Sequence, residues 1–248
     1  MKTLAIIPAG GVGRRMGSGV AKQFLPLAGI PVLAHTLRAF QRSSLIDEVF
    51  LVVPEGDITA VSRDIVEEYG LSKVALVLAG GAERQDSVGK ALAHLCDDHG
   101  IVLVHDAVRP LVTGDLIRQV VAAAAEHGAA VAGIPIRDTV KRVGVAGVVV
   151  ETVERRGLWL AQTPQAFHRT LICTAYERAL QDGFVGTDDT SLVERLGISV
   201  RMIPGDHDNI KITTPEDLEL GEIIIRRFSS GESGAEKPVS SQARSACG

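Results

Sequence analysis

A glycine-rich segment near the start of the chain carries the first residues that could do chemistry. Residues Pro8–Phe24 read PAGGVGRRMGSGVAKQF and include the cations Arg14, Arg15 and Lys22. Glycine backbone N–H groups approach an anion closely, and cations beside them suit a polyphosphate. A dinucleotide fingerprint does not fit, because the last glycine of G-x-G-x-x-G comes one position late, at Gly17, and no Walker loop is present. The segment therefore indicates a polyphosphate site, with a tight turn carrying solvated cations as the alternative.

Two further groups place acids and cations near the ends of predicted elements. In VHDAVRP, Asp106 follows an apolar run and Arg109 comes three residues later. This pair could hold a sugar hydroxyl or a metal, or form only a local ion pair or a helix cap. In DHDNIKITTPEDL, Lys211 precedes Thr214–Asp217, which predicts an N-cap, a proline at the first helical position and acids in the first turn. Lys211 could then point to a shared cleft or to water.

The last group surrounds a predicted hairpin. The stretches DTVKR and VERRGLWLAQTPQAF carry Thr139, Arg155 and Thr163. Composition alone favours a dimer arm with exposed charges, and the neighbouring Arg156 leaves open which arginine is functional. The sequence has no G-x-S-x-G elbow, no cysteine with an obvious base nearby and no H-x-x-x-H or H-E-x-x-H pattern. Covalent catalysis and a histidine metal centre therefore have no support from the motifs.

Alternating strands and helices must position these residues. Strands are predicted at Leu4–Pro8, Asp47–Pro54, Lys73–Leu78, Ile101–His105, Ala129–Ile134 and Ile198–Ile203, and helices at Pro31–Arg42, after an N-cap at Asp57, after Gly81, at Thr113–Glu126, near His168–Leu180, at Ser191–Leu196 and at Thr214–Arg227. This rhythm predicts an α/β protein with a doubly wound parallel sheet, whose sites lie beyond the carboxyl ends of the strands. The loops at Gly10–Gly13, Gly80–Gly81 and His105–Pro110 should therefore converge on one edge.

Residues 136–160 interrupt the rhythm. Asp138–Val143 and Val148–Val153, joined by a glycine turn at Gly144–Gly147, predict a β-hairpin arm. From Ser229 the composition is typical of a disordered segment. We therefore expect one domain over residues 1–228, which includes the arm, and a disordered tail over residues 229–248.

Composition excludes several partners. The 248 residues carry 26 basic and 30 acidic side chains, a formal net charge of −4, so no global basic field for nucleic acid or anionic lipid is present. The three cysteines, Cys96, Cys173 and Cys247, form no C-x-x-C pair, which favours a reducing compartment, and a cytoplasmic location is expected. The apolar run at the start of the sequence is too short for a signal peptide. No stretch approaches the ~18 consecutive apolar residues that a membrane-spanning helix needs.

Taken together, the motifs resemble the 2-C-methyl-D-erythritol 4-phosphate cytidylyltransferases, enzymes of the non-mevalonate isoprenoid pathway. The resemblance runs from about Leu4 to Arg227, and it is carried by the joint order of the blocks PAGGVGRRMG…KQFLPLAGIPVL, GGAERQDSV, VLVHDAVRP, RDTVKR, RGLWLAQTPQAF, TDD and DNIKITTPEDL. It implies a mostly parallel, mixed Rossmann-like sheet with a protruding arm. It also implies a homodimer whose arm completes the neighbouring site, and the use of Mg²⁺ or another divalent cation.

The resemblance also implies a role for individual residues. Arg15 and Lys22 match the pair that stabilises the pentacovalent transition state at the α-phosphate, and Arg155 and Lys211 match the residues that position the attacking phosphate. The residues that match the CTP pocket are Pro8, Ala9, Gly10, Gly11, Gly13, Gly81, Ala82 and Ser87, and those that match the polyol phosphate site are Asp106, Arg109, Thr139, Arg155, Thr163 and Lys211. No metal ligand is implied.

Two departures from the family pattern are visible. Gly10 stands where the family has alanine, and Val108 stands where it has a second alanine. Neither change removes a functional group. Three alternatives remain open at this point: a ribitol- or ribulose-5-phosphate cytidylyltransferase with similar motifs, an NAD-dependent dehydrogenase, which the failed fingerprint disfavours, and a nucleotide-binding module without catalysis.

Overall fold

The structure, a computed structural model, describes residues 1–11 and 21–229. Gly13 and Arg15 therefore lie outside the described residues, as does the tail beyond Ser229. Within the described part the strands are β1 Lys2–Pro8, β2 Pro26–Leu27, β3 Ile30–Pro31, β4 Glu48–Val53, β5 Val74–Ala79, β6 His99–Val104, β7 Ala129–Pro135, β8 Val140–Val143, β9 Val149–Val153, β10 Trp159–His168 and β11 Arg201–Pro204. The α-helices there are α1 Val32–Arg42, α2 Ile58–Val61, α3 Arg84–Leu92, α4 Gly114–His127, α5 Arg169–Gln181, α6 Asp189–Glu194 and α7 Pro215–Ser229.

Seven of the strands in this part of the chain form one central sheet. Their order is β11-β7-β10-β6-β1-β4-β5. The pairs β6-β1, β1-β4, β4-β5 and β11-β7 are parallel, and β10 runs antiparallel to both of its neighbours. The expectation of a mostly parallel, mixed α/β sheet is confirmed.

Helices cover both faces of the sheet, which explains why its parallel strands β1, β4, β5 and β6 are mostly apolar. Successive side chains of a strand point to opposite faces. Ala5 and Ile7 of β1 accordingly pack in one core with α1 and α4, whereas Leu4 and Ile6 pack in a second core with α3 and α5. All four side chains are fully buried. Strand β1 is therefore packed against helices on both faces, and its carboxyl end leads directly into the glycine segment.

Strand β10 is absent from the elements predicted from the sequence, which place only a helix near its end. It lies between β6 and β7, in the middle of the sheet. A proline within the stretch argues against a central strand, because it cannot donate to the ladder. The structure accommodates Pro164 where pairing with β7 is interrupted, between Ala161 and Gln165.

The predicted arm is present. Strands β8 and β9 form a separate two-stranded antiparallel sheet in which Val140 pairs with Val153. The valines toward the tip of the arm, Val145, Val148 and Val150, are more than half exposed. A two-stranded ribbon with exposed valines lacks a surface to pack against in the isolated chain.

Local capping differs from the expectation at one helix. Asp57 occupies the N-cap position of α2, but its side chain makes no capping hydrogen bond, so that part of the prediction is wrong. At α7 the expected start is confirmed, since the helix begins at Pro215 and the carboxylate of Asp217 accepts from the N–H of Thr214 at 2.8 Å. Among the described residues, no helix is both long and apolar enough to cross a membrane.

Candidate active site

The three loops predicted to converge do so, at the carboxyl edge of the parallel strands. They enclose a cleft of about 270 Å³. The cleft is lined by Pro8, Ala9, Gly10, Gly11, Lys22, Gln23, Gly81, Ala82, Glu83, Arg84, Ser87, Asp106, Ala107, Val108 and Lys211. It thus brings together most of the residues expected to bind a nucleotide with two of the four expected catalytic cations.

The first loop continues directly from β1. Its Ala9 N–H donates to the carbonyl of Val52 on β4 at 2.7 Å, which extends the sheet by one residue. The buried amide of Gln23 donates to the carbonyl of Ala9 at 2.7 Å. A Cβ built on Gly11 would lie 3.8 Å from Cε of Lys22, so the lysine stem passes close to the glycine backbone. A cation and backbone N–H groups therefore share this end of the cleft, as polyphosphate binding requires.

The second loop, between β5 and α3, requires glycine. A Cβ on Gly81 would lie 2.2 Å from Cβ of Asp86, a distance that no real structure tolerates. The buried hydroxyl of Ser87 accepts from the N–H of Gly81 at 3.0 Å and donates to the carbonyl of Glu83 at 3.1 Å. The Ser87 hydroxyl thus both donates and accepts within the loop, so it holds the shape of the loop that lines the cleft.

Asp106 is the electrostatic centre of the cleft. Its Oδ2 lies 2.8 Å from Nζ of Lys211 and 3.8 Å from Nε of Arg109, and its Oδ1 lies 3.2 Å from Nε of Arg84. Burial alone would raise the pKa of this carboxyl, but Arg84, Lys211 and Arg109 outweigh that effect and hold the pKa well below its usual range. Asp106 is therefore ionised at neutral pH and keeps three cations in a fixed arrangement.

Behind Asp106, hydrogen bonds link its N–H through Thr163 and His105 to the carbonyl of Arg109, and the donor and acceptor of each bond can be assigned. The carbonyl of Arg109 can only accept, so Nε2 of His105 donates to it at 3.1 Å and Nδ1 carries no proton. The Thr163 hydroxyl therefore donates to Nδ1 at 3.1 Å and accepts from the N–H of Asp106 at 3.0 Å. Burial lowers the pKa of His105 from 6.5 to about 4, in agreement with a neutral ring. Thr163 thus fixes the backbone of Asp106 rather than lining the cleft.

The segment that carries Lys211 is tied to the same loop. The N–H of Ile212 donates to the carbonyl of Val108 at 2.8 Å, and Nη1 of Arg109 donates to the carbonyl of Asn209 at 2.8 Å. Burial lowers the pKa of Arg109, and its Nε finds no hydrogen-bond partner among the residues that the structure describes. These backbone contacts explain why Lys211, more than one hundred positions away in sequence, reaches Asp106 although its side chain remains 43% exposed to solvent.

Two predicted site residues lie elsewhere. Thr139 and Arg155 line a groove on the arm, together with Thr152, Val153 and Glu154. Neither is among the residues that line the cleft. Arg155 donates to the carbonyl of Arg137 at the base of the arm. Within one chain, therefore, the structure separates these two residues from Lys22, Asp106 and Lys211.

The sequence reasoning missed several residues that shape the site. Arg84 and Gln23 line the cleft, and the buried Asp189 binds Arg84 from behind. Arg84 and Asp189 belong to the blocks GGAERQDSV and TDD, which carry part of the family resemblance. That resemblance implied no role for either residue. An arginine that opens a helix directly after a glycine loop was the available signal.

The described residues offer Mg²⁺ little coordination of their own. The cleft contains two carboxylates, Glu83 and Asp106, and Asp106 is already surrounded by three cations. This donor set fits an ion carried by the oxygens of a nucleotide triphosphate, with protein carboxylates secondary, as is common for Mg²⁺. A cluster of Cys96, Asp98 and His99 lies outside the cleft, but both ring nitrogens of His99 are engaged, by the N–H of Cys96 and by Glu48.

Comparison with known proteins decides the family. The sequence model of IspD, 2-C-methyl-D-erythritol 4-phosphate cytidylyltransferase, matches residues 3–227. The chain belongs to this family. A relative of that name from Syntrophus aciditrophicus is 50% identical over 91% of this chain and 97% of its own length. A relative of the same name from Symbiobacterium thermophilum is also 50% identical, over 89% and 91%.

Solved structures agree with the sequence family. The chain resembles 4-diphosphocytidyl-2C-methyl-D-erythritol synthase from Anaerococcus prevotii with a TM-score of 0.79 and 32% identity, over 91% of this chain and 96% of the other. It resembles 2-C-methyl-D-erythritol 4-phosphate cytidylyltransferase from Thermus thermophilus with a TM-score of 0.74 and 33% identity, over 89% and 98%. The resemblance inferred from the motifs is thereby confirmed, and the chain is a cytidylyltransferase-family enzyme and not a dehydrogenase.

Proposed function

We propose that this chain transfers the cytidylyl group of CTP to 2-C-methyl-D-erythritol 4-phosphate, forming CDP-methylerythritol and diphosphate. The observation that carries the proposal is the cleft itself. Glycine backbone, Lys22 and the Asp106–Lys211 pair share one edge of the sheet, in a chain whose family matches over residues 3–227. No observation favours the ribitol- or ribulose-phosphate alternative.

The chemistry requires positioning and charge neutralisation, with no covalent intermediate on the protein. An oxygen of the substrate phosphate forms a bond to the α-phosphorus of CTP, and the bond from that phosphorus to the bridging oxygen of the departing diphosphate breaks. The attacking oxygen is already ionised, so no general base is needed. This agrees with the described lining of the cleft, in which the cations Lys22, Arg84 and Lys211 lie beside glycine backbone and no nucleophile is paired to a base.

Each cation has a separate place in this scheme. Lys22, close to Gly11, neutralises charge that develops on the α-phosphoryl oxygens, and Arg15 from the same segment does so with it. Lys211 holds the attacking phosphate, and Asp106 holds a hydroxyl of the polyol while Arg109 supports it from behind. The backbone from Pro8 to Gly13, with the loop that Gly81, Ala82 and Ser87 form, binds the nucleotide.

A divalent cation completes the charge balance. When bound, Mg²⁺ would neutralise part of the triphosphate charge and orient its α-phosphate. The described protein groups that could hold it beside the triphosphate oxygens are the two carboxylates that line the cleft, Glu83 and Asp106.

The arm supplies the remaining groups from a second copy of the chain. Thr139 and Arg155 do not line the cleft of their own subunit, and the valines toward the tip of the same arm, Val145, Val148 and Val150, are exposed. A symmetric dimer in which each arm packs on the partner would cover these valines and bring Arg155 toward the neighbouring substrate phosphate. We therefore propose a homodimer with two shared sites.

The catalytic unit corresponds to residues 1–228, and residues 229–248 are dispensable. The family match ends at residue 227, before the serine- and glycine-rich tail begins. A cytoplasmic location is part of the same proposal, since Cys96 and Cys173 are free thiols in the described part of the chain.

The test is release of diphosphate from CTP with a panel of polyol phosphates. Wild-type protein, CTP and Mg²⁺ are incubated with 2-C-methyl-D-erythritol 4-phosphate, ribitol 5-phosphate or ribulose 5-phosphate, and the nucleotide product is weighed by mass spectrometry. The proposal expects release with the methylerythritol substrate at a kcat/KM far above the other two. Preference for either pentose-derived phosphate, or CTP binding without release, would contradict it.

A further inference from the structure

A buried carboxylate outside the cleft is bound to the cleft through one arginine. Asp189 at the start of α6 is only 1% exposed. Nη1 and Nη2 of Arg84 donate to its two oxygens at 3.0 and 2.7 Å, a bidentate pair. The hydroxyl of Tyr176 on α5 donates to Oδ1 of the same carboxylate. Three helices, α3, α5 and α6, therefore meet at one charged group.

The third nitrogen of the same guanidinium reaches the cleft. Nε of Arg84 lies 3.2 Å from Oδ1 of Asp106, whose Oδ2 holds Lys211. Because the guanidinium is planar and rigid, fixing its two Nη atoms on Asp189 also fixes the direction of Nε. The charges along this line alternate, from Asp189 through Arg84 and Asp106 to Lys211, so each group is held by the next.

We propose that Asp189 and Tyr176 are positioning residues, which act through Arg84 to fix Asp106 and Lys211 for the polyol phosphate. The inference rests on the proposed function of the cleft. It goes beyond that function because neither Asp189 nor Tyr176 lines the cleft, and because Arg84 acts here as a connector rather than as a ligand of the nucleotide.

Stability alone does not account for the arrangement. A buried ion pair is a weak source of stability, since apolar residues of similar volume do as well or better. The same region also has a separate anchor, because Gln85 bonds to the carbonyl of Phe184 at 3.0 Å and to the N–H of Gly186 at 2.9 Å. Gln85 therefore ties α3 to the loop before α6 without touching Asp106. It provides a matched control from the neighbouring position.

Tyr176 provides a mild perturbation. Burial and the nearby Asp189 raise the pKa of Tyr176 well above its ordinary value, so the hydroxyl stays protonated and donates. Tyr176→Phe removes that donor and keeps the ring, which packs on the backbone of Gly89 in the second core. The variant thus loosens Asp189 while leaving the core packed.

The experiment is a double-mutant cycle on the full chain. Asp189→Asn, Arg84→Lys and their combination are assayed for diphosphate release, and calorimetry measures binding of 2-C-methyl-D-erythritol 4-phosphate. We expect Asp189→Asn and Arg84→Lys each to lower kcat/KM for the polyol phosphate by about 10–100-fold, the range of lost positioning contacts, with KM for CTP within about twofold of wild type. The double variant should be no worse than Arg84→Lys, because both changes break one connection.

Tyr176→Phe and Gln85→Ala keep the proposal testable if Asp189→Asn does not fold. Tyr176→Phe should lower both Tm and kcat/KM, the latter by about 3–10-fold, whereas Gln85→Ala should lower Tm and leave kcat/KM unchanged. Additive losses in the cycle, or equal effects of Tyr176→Phe and Gln85→Ala, would overturn the inference. Failure of the proposed function has a different signature, namely wild-type protein that releases no diphosphate. In that case the calorimetric cycle still measures the coupling between Asp189 and Arg84.

Discussion

Acid should unfold this protein in part through one neutral histidine behind the cleft. His105 is fully buried, its Nε2 donates to the carbonyl of Arg109, and its Nδ1 accepts from the Thr163 hydroxyl. Protonation would place a charge in the core and leave the Thr163 hydrogen without an acceptor. Lowering the pH is therefore a perturbation that reaches the loop of Asp106 from behind.

The magnitude follows from the two protonation states. Burial lowers the pKa of His105 from 6.5 to about 4 in the folded protein. The unfolded chain then binds more protons between these values, so stability falls as the pH falls from 6.5 to about 4 and is fully retained above 6.5. At about 1.4 kcal/mol per pKa unit, the contribution of this group is on the order of 3 kcal/mol.

Urea denaturation of wild type and His105→Asn, at a series of pH values from 7 to 4, measures this contribution. Asparagine offers a donor and an acceptor but does not titrate. The free energy of unfolding should fall by roughly 3 kcal/mol more for wild type than for the variant across this range. His35, whose burial also lowers its pKa, contributes equally to both proteins and cancels. Parallel curves for the two proteins would refute the reasoning.

Three further predictions concern catalysis and assembly. Lys22→Ala and Arg15→Ala should each lower kcat by about 10²–10³ with little change in CTP binding, and steady-state kinetics showing only a raised KM would reassign both residues to ground-state binding. When Arg15→Ala and Arg155→Ala chains are co-expressed, roughly a quarter of the active sites should be intact. Half of the randomly paired dimers are mixed, and each mixed dimer has one site with both arginines. Purified mixed dimers without activity would exclude an arm that acts in trans. Deletion of residues 229–248 should change neither kcat nor Tm, and a Tm drop of more than a few degrees would show that the tail docks.

The sequence predicted the edge at which the site forms, because the relevant signals are local. Apolar runs that end in glycine or in Asp106 mark strand ends, and parallel strands bring their carboxyl ends to one edge. The same reasoning located the hairpin arm from its valines and its glycine turn. For Lys211 the sequence left two possibilities, the cleft or solvent. The hydrogen bond from Ile212 to Val108 that places Lys211 near the cleft joins segments far apart in sequence, so no local pattern reveals it.

Other features depend on contacts that no local pattern reveals. Strand β10 contains Pro164 and polar glutamines, yet it sits in the middle of the sheet because its neighbours leave room for an interruption in pairing. Gln162 and Gln165 of this strand bond to the loops at Asp206 and Asp188 rather than facing solvent. The pairing of Arg84 with Asp189, at 105 positions apart, likewise requires the packed helices before it can form.

The stereochemical course at the α-phosphorus tests the central claim most directly. In the proposed reaction, a phosphate oxygen of 2-C-methyl-D-erythritol 4-phosphate attacks that phosphorus in line, with no covalent intermediate on the protein. The reaction can be run with one diastereomer of CTP that carries sulfur at the α-phosphate, and ³¹P NMR of the product reports its configuration. We expect a CDP-methylerythritol thio-analogue with inverted configuration. Retention would require two successive displacements through a nucleotidyl-enzyme, and it would contradict the account.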